Sequence, residues 1–195
     1  MSAMEKFDEE TVKVPFGTKF LDAAFCFPAA VHKDVHTAVV LTHGAGGDMN
    51  FTHLDYLKTL QKFTVKHTFL GGRSMGCRAA AALARQLRDE SEDAVQGVIC
   101  LSFPLHPPGQ THTHRQRSED LRMLPEGVRV LFVSGTEDNM CDRDLFDGVL
   151  KDMKAQAEVF WLQGGSHGLT VKGRSEESVM EEVNSKVINW IKKGV

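Results

Sequence analysis

The stretch Gly72-Arg73-Ser74-Met75-Gly76 constrains this chain more than any other. A G-x-S-x-G pentapeptide suits a sharp, strained turn from a strand into a helix, with the serine at its apex and glycines that let the backbone pass closely. The flanks fit that turn. Phe69 and Leu70 can end a strand, and residues 76–88 form an alanine-rich helix able to lie tight against a sheet. The alternative is a glycine-rich turn bearing an ordinary surface serine, and the pentapeptide alone weighs the two about evenly.

The rest of the chain alternates apolar runs with amphipathic stretches, which predicts an α/β layer architecture. Residues 11–16 and 19–27 read as an N-terminal pair of strands joined by the turn at Gly17. Thr37–Thr42, 97–103, 128–134 and 158–162 are near-continuous apolar runs, as parallel strands covered on both faces require. Residues 142–156 put Leu145, Phe146, Val149, Leu150 and Met153 on one helical face. Residues 175–193 do the same with Val179, Met180, Val183, Val187, Trp190 and Ile191, with Ser175 as N-cap and Glu176, Glu177, Lys192 and Lys193 matched to the helix dipole. Residues 104–117, with prolines and three histidines, read as an irregular loop.

Chain order sharpens the serine. Residues 128–134 run into Gly135-Thr136-Glu137-Asp138, and residues 158–162 run into Gln163-Gly164-Gly165-Ser166-His167. An acid and then a histidine therefore follow later strands, in the order Ser…Asp…His. Asp138 would orient the His167 imidazole, and His167 would take the proton from Ser74, whose hydroxyl is a weak nucleophile unaided. Singly, His167 fits a loop histidine and Asp138 a turn or cap residue; jointly with Ser74 the triad is the better reading. Asp142 and Asp144 fall where the next helix starts and suit capping or dipole roles. His43-Gly44-Ala45-Gly46-Gly47 follows Thr37–Thr42, where backbone N–H groups can face a developing oxyanion. Ala45 and Met75 are the predicted backbone donors. A phosphate-cradling loop is the alternative there, but the P-loop lysine and the full G-x-G-x-x-G are missing.

Other candidates rank lower. His106, His112 and His114 suggest a metal only weakly, since H-T-H is their one close pair and no carboxylate pattern completes a site; a solvated loop is the simpler reading. Cys77 reads as a helix-packing residue. Arg73 and Lys172-Gly173-Arg174 could draw an anionic substrate, or simply face solvent. No metal and no cofactor are expected. With 23 basic against 26 acidic residues, the chain lacks the electrostatic footprint of a nucleic-acid binder. No apolar run reaches the roughly 18–20 residues of a membrane span, and the acidic residues 1–10 do not read as a signal peptide. Four scattered cysteines suit reduced thiols, hence an intracellular protein of cytoplasm or nucleus.

Four motifs in order, H-G-A-G-G-D-M-N (43–50), F-L-G-G-R-S-M-G (69–76), V-S-G-T-E-D-N-M-C (133–141) and S-H-G-L-T-V-K-G-R-S (166–175), resemble an α/β-hydrolase-like family that also includes a scaffold subunit of a histone acetyltransferase complex. The resemblance covers nearly the whole chain. It implies one α/β-hydrolase-like domain over residues 1–195, with a mostly parallel sheet and helices on both faces. It also matches Ser74, Asp138 and His167 to the family's triad. One departure stands out. Residues 50–66, with Phe51, Leu54, Leu57, Leu60 and Phe63, have room for one helix between the oxyanion strand and the nucleophile strand. One strand-helix unit is thus missing, and the chain reads as a shortened form. Its lead-in Lys66-His67-Thr68 is polar for a central strand. The omission predicts either unpaired strand edges or direct docking of the N-terminal pair on Thr37–Thr42, with aggregation in the first case. The expected function is serine-dependent hydrolysis of a small ester, thioester or amide. The competing class is a catalytically silent interaction domain that keeps the pocket and binds a protein partner.

Overall fold

Strands with large apolar residues at both alternating positions need cover on two faces, and the structure supplies it. It is a computed structural model that describes residues 7–16, 19–28, 36–42 and 65–195. Two compact units divide the chain, one of residues 1–38 and 48–66, the other of residues 39–47 and 67–195. In the first, β1 (Phe7–Phe16) and β2 (Lys19–Pro28) pair antiparallel from Phe7↔Pro28 to Phe16↔Lys19. The first strand begins earlier than its apolar pattern predicts, because the partner strand is long enough to carry the ladder across the acidic residues 8–10.

A five-stranded sheet follows: β3 (Thr37–Thr42), β4 (His67–Arg73), β5 (Gly97–Leu101), β6 (Arg129–Gly135) and β7 (Gln156–Leu162), in that spatial order. The registers from β4 to β7 are parallel. β1 and β2 form a two-stranded sheet of their own, so β3 begins the five-stranded one. The polar residues His67 and Thr68 do belong to β4, at its half-buried start. The helix expected within residues 50–66 lies outside the described residues.

The strand order never reverses between β4 and β7, so right-handed crossovers leave their connecting helices on one face. That face carries Leu70, Val98, Cys100, Val130 and Phe132, all buried. Against it lie α1 (Met75–Glu90), with Ala80, Leu83, Ala84 and Leu87 buried, and α2 (Arg143–Asp152). Phe146 of α2 meets Phe132 edge-on at 4.9 Å and Trp161 at 5.8 Å. The opposite face, with Phe69, Ile99, Leu131 and Val133, is covered by α3 (Glu176–Lys192) through Val179, Val183 and Trp190. Trp190 packs edge-on against Phe69 at 5.7 Å, and a Cβ at Gly97 would reach to 2.7 Å of its ring. Truncating such a ring to alanine costs about 3–5 kcal/mol.

Ser175 caps α3 by accepting from the Ser178 N–H at 3.2 Å, as its local sequence predicts. Residues 104–110 are irregular as expected, whereas residues 111–117 correct the irregular-loop expectation. A 3₁₀ turn, Thr111–Thr113, leads into helical turns His114–Arg117 and Glu119–Arg122, linked by the Ser118 hydroxyl donating to the His114 carbonyl at 2.8 Å. Such side-chain-to-backbone bonds stabilise single turns that no apolar period announces.

Candidate active site

β4 delivers Ser74 to the N-cap of α1 with φ 53° and ψ −120°, a backbone conformation that a serine holds only when its surroundings impose it. The surroundings are tight. A Cβ on Gly72 would strike the Gly76 carbonyl, and one on Gly76 would lie 2.5 Å from Thr42 O and Oγ1. Thr42 at the end of β3 donates its hydroxyl to the Gly76 carbonyl at 3.2 Å. The Ser74 N–H extends the β4–β5 ladder by donating to Leu101 O at 2.9 Å. These contacts are possible only with glycine at 72 and 76.

The Ser74 hydroxyl does not cap its helix. Its Oγ lies 2.8 Å from His167 Nε2. His167 Nδ1 in turn faces both oxygens of Asp138, at 3.0 and 2.9 Å. A carboxylate only accepts, so Nδ1 carries the proton and Nε2 is free to accept from the serine. The Asp138 side chain is fully buried, whereas the His167 side chain is 22% exposed. Buried Asp138, half-buried His167 and Ser74 at a helix N-terminus form one hydrogen-bonded chain. Asp142 is not part of it; it caps α2 by accepting from Leu145 N–H at 3.0 Å, and Asp144 lies in that helix's first turn.

The loops carrying the acid and the base are laced together. Thr136 N–H donates to Leu162 O at 3.0 Å, Glu137 N–H to Gly165 O at 2.8 Å, and Gly164 N–H to Thr136 Oγ1 at 2.8 Å. Gly135 lies so close beneath the Gly165 carbonyl that any side chain there would collide with it. Met140 N–H donates to Asp138 Oδ1 at 2.8 Å, holding the carboxylate's direction. The Arg73 guanidinium reaches from the elbow to the Gly168 carbonyl at 3.3 Å. Arg174 is engaged with Glu182 at 2.6 Å and with Ser178.

Of the predicted oxyanion donors, Met75 begins α1, where the first N–H groups of a helix have no intrahelical acceptor. Ala45 and the rest of residues 43–47 lie outside the described residues. Cys77 is buried under the elbow and donates to Gly72 O at 3.0 Å; burial, then the neighbouring Cys100, push its thiol well above the ordinary range. Burial and then Asp138 push the Cys141 thiol up to about 12. Both thiols are therefore packed, protonated groups and not nucleophiles.

His112 is exposed and His114 donates from Nδ1 to Thr111 O at 2.8 Å. His106 corrects the solvated-loop expectation: it is 3% exposed and hydrogen-bonded at both ring nitrogens. The signal that could have found it is P-L-H-P-P directly after a strand, where prolines hold the chain against the molecule. Among the described residues no three His, Cys, Asp or Glu side chains gather as a metal site, and no helix is long and apolar enough to cross a membrane.

The sequence model of the alpha/beta hydrolase domain family matches residues 52–192. Est1E from Butyrivibrio proteoclasticus is similar in structure with a TM-score of 0.65 at 14% identity, over 93% of this chain and 99% of that one. Dienelactone hydrolase from Anabaena variabilis gives a TM-score of 0.61 at 14% identity, over 97% and 99%. A fungal esterase from Rhizomucor miehei gives 0.63 at 12% identity, over 96% and 84%. At these identities the likeness concerns the fold.

Proposed function

The chain belongs to the alpha/beta hydrolase domain family, and on that premise we propose that it is a serine-dependent hydrolase of a small ester, thioester or amide. The observation that carries this reading is the unbroken chain from Ser74 Oγ through His167 to Asp138, built on a strained serine at a helix N-terminus. The solved structures named above include esterases and a dienelactone hydrolase, in keeping with an ester-like substrate. The four sequence motifs resemble testis-expressed protein 30 within this family, in a shortened form.

In this mechanism Ser74 Oγ attacks the substrate carbonyl carbon while its proton passes to His167 Nε2. Asp138 holds the ring's other N–H and stabilises the imidazolium that forms. The oxyanion is held by the N–H of Met75, with Ala45 as the second donor. Collapse expels the alcohol, thiol or amine, which takes the proton from His167 and leaves an acyl-serine. A water then attacks that acyl group, gives its proton to His167, and releases the acid as Ser74 is reprotonated. A near-balanced formal charge of −3 and, among the described residues, three buried free cysteines suit a small-molecule substrate, without nucleic acid or membrane, in an intracellular protein of cytoplasm or nucleus.

A fluorophosphonate probe tests the reading. Wild type should be labelled covalently, and Ser74→Ala should not, with an unchanged circular dichroism spectrum. Equal labelling of the alanine variant would remove Ser74 from the nucleophile's role. A well-folded wild type that resists labelling would favour the silent interaction domain.

A further inference from the structure

Asp142 is the N-cap of α2 and commits its carboxylate to the Leu145 N–H. The N-cap residue's own N–H lies outside the helical ladder and has to find an acceptor elsewhere. It donates to Nε2 of His106 at 3.1 Å. On the ring's other side, Nδ1 stands 2.8 Å from the Pro107 carbonyl. A carbonyl only accepts and an amide N–H only donates, so the ring is neutral with its proton on Nδ1. The main chain closes the same clasp in the opposite sense, His106 N–H donating to Met140 O at 3.1 Å. Met140 is also the residue whose N–H holds Asp138 Oδ1.

We infer that His106 is a positioning residue for the acid of the triad: it clamps residues 140–142 to the segment leaving β5 and so fixes the direction of the Asp138 carboxylate. The ring contacts neither Ser74 nor His167 by any hydrogen bond; it acts through Met140 and Asp142. Both ring nitrogens are committed to backbone groups, which leaves the imidazole no role as base or ligand. Removing its acceptor would leave the Asp142 N–H without its part-buried partner, an unfavourable state relieved if residues 140–142 move. That movement would carry the Met140 N–H away from Asp138. A displacement of about 1 Å in supporting structure can cost about 10²-fold in rate.

The effect on rate rests on the hydrolase reading, whereas the hydrogen-bond geometry does not, and the test separates them. Long-range ¹⁵N–¹H spectra of the full chain report the His106 tautomer, and low-field proton spectra report the His167–Asp138 hydrogen bond. Wild type should show His106 protonated on Nδ1. His106→Phe keeps an aromatic ring but no acceptor; it should weaken the low-field proton and slow fluorophosphonate labelling about 10²-fold. With p-nitrophenyl acetate as substrate, the loss should fall on kcat, leaving KM within about twofold. His106→Gln, whose amide oxygen can reach the Nε2 position, should restore most of both signals. A wild-type ring protonated on Nε2 would overturn the inference, as would a folded His106→Phe with the low-field proton and labelling rate intact. Should His106→Phe fail to fold, the tautomer and the Gln variant decide: a folded His106→Gln without the low-field proton overturns the clamp. A wild type that shows the tautomer and low-field proton but never labels defeats the hydrolase reading alone.

Discussion

The two ends of the hydrogen-bonded chain from Ser74 to Asp138 are held by different physics. At the elbow, Ser74 is fixed by steric exclusion: its backbone is strained, and Gly72, Gly76 and Thr42 pack so closely that no side chain fits between them. At the other corner, Asp138 and His167 are fixed mainly by hydrogen bonds among three loop segments, with Gly135 and Gly165 in close steric contact. Steric exclusion has no intermediate state, since a Cβ either fits or displaces a strand. A hydrogen-bond lattice degrades by steps, because each bond contributes only about 0.5–1.5 kcal/mol net. Substitution of the glycines at the first corner should therefore act on the fold, and substitution of the hydrogen-bonding groups at the second on the chemistry.

The largest effect tests the first half of that contrast. Gly76→Val would force β3 or α1 to move, since even a Cβ lies 2.5 Å from Thr42 O. We expect loss of the cooperative thermal transition together with probe labelling. A variant that melts within a few degrees of wild type and still labels would break the comparison. The second corner should respond differently. Asp138→Asn should lower kcat by about 10⁴-fold with the melting transition nearly kept, because the wrong imidazole tautomer is then favoured. Asp144→Asn, in the first turn of α2, should stay within about twofold. Comparable losses from both changes in steady-state kinetics would mean that Asp138 is not the acid.

The smallest effect concerns the packing behind the acid. The Cys141 thiol is pushed up to about 12 by burial and then by Asp138, so the folded chain keeps its proton where the unfolded chain releases it. The unfolded state then binds fewer protons above about pH 9, and stability falls as pH rises from there toward about 12. The slope due to this group should approach about 1.4 kcal/mol per pH unit. Urea unfolding of wild type and Cys141→Ala at several alkaline pH values isolates it as a difference. Parallel curves for the two proteins would show that the thiol ionises as freely in the fold as outside it.

The elbow was legible because its determinants are local. Glycine at 72 and 76 around Ser74 is a covalent pattern, and Ser175 with Glu176 and Glu177 announces a helix start within one turn. The separation of Asp138 from Asp142 and Asp144 was legible for the same reason: distance from a strand end and position at a helix start are both counted along the chain. The extension of β1 to Phe7 was not, since its length is set by β2 through the ladder.

By itself, the sequence determined the α/β alternation, the strained serine, and the chain order of Ser74, Asp138 and His167, each near a strand end. Each depends on neighbours within a few residues or on the period of an apolar face. Only the tertiary structure decided that His106 is buried between β5's exit and the acid loop, that Thr42 closes on Gly76, and that β1 and β2 pair as a sheet apart from β3. Those outcomes depend on which strands become neighbours. Strand order joins residues as far apart as Thr42 and Gly76, or His106 and Asp142, and no local propensity carries that information.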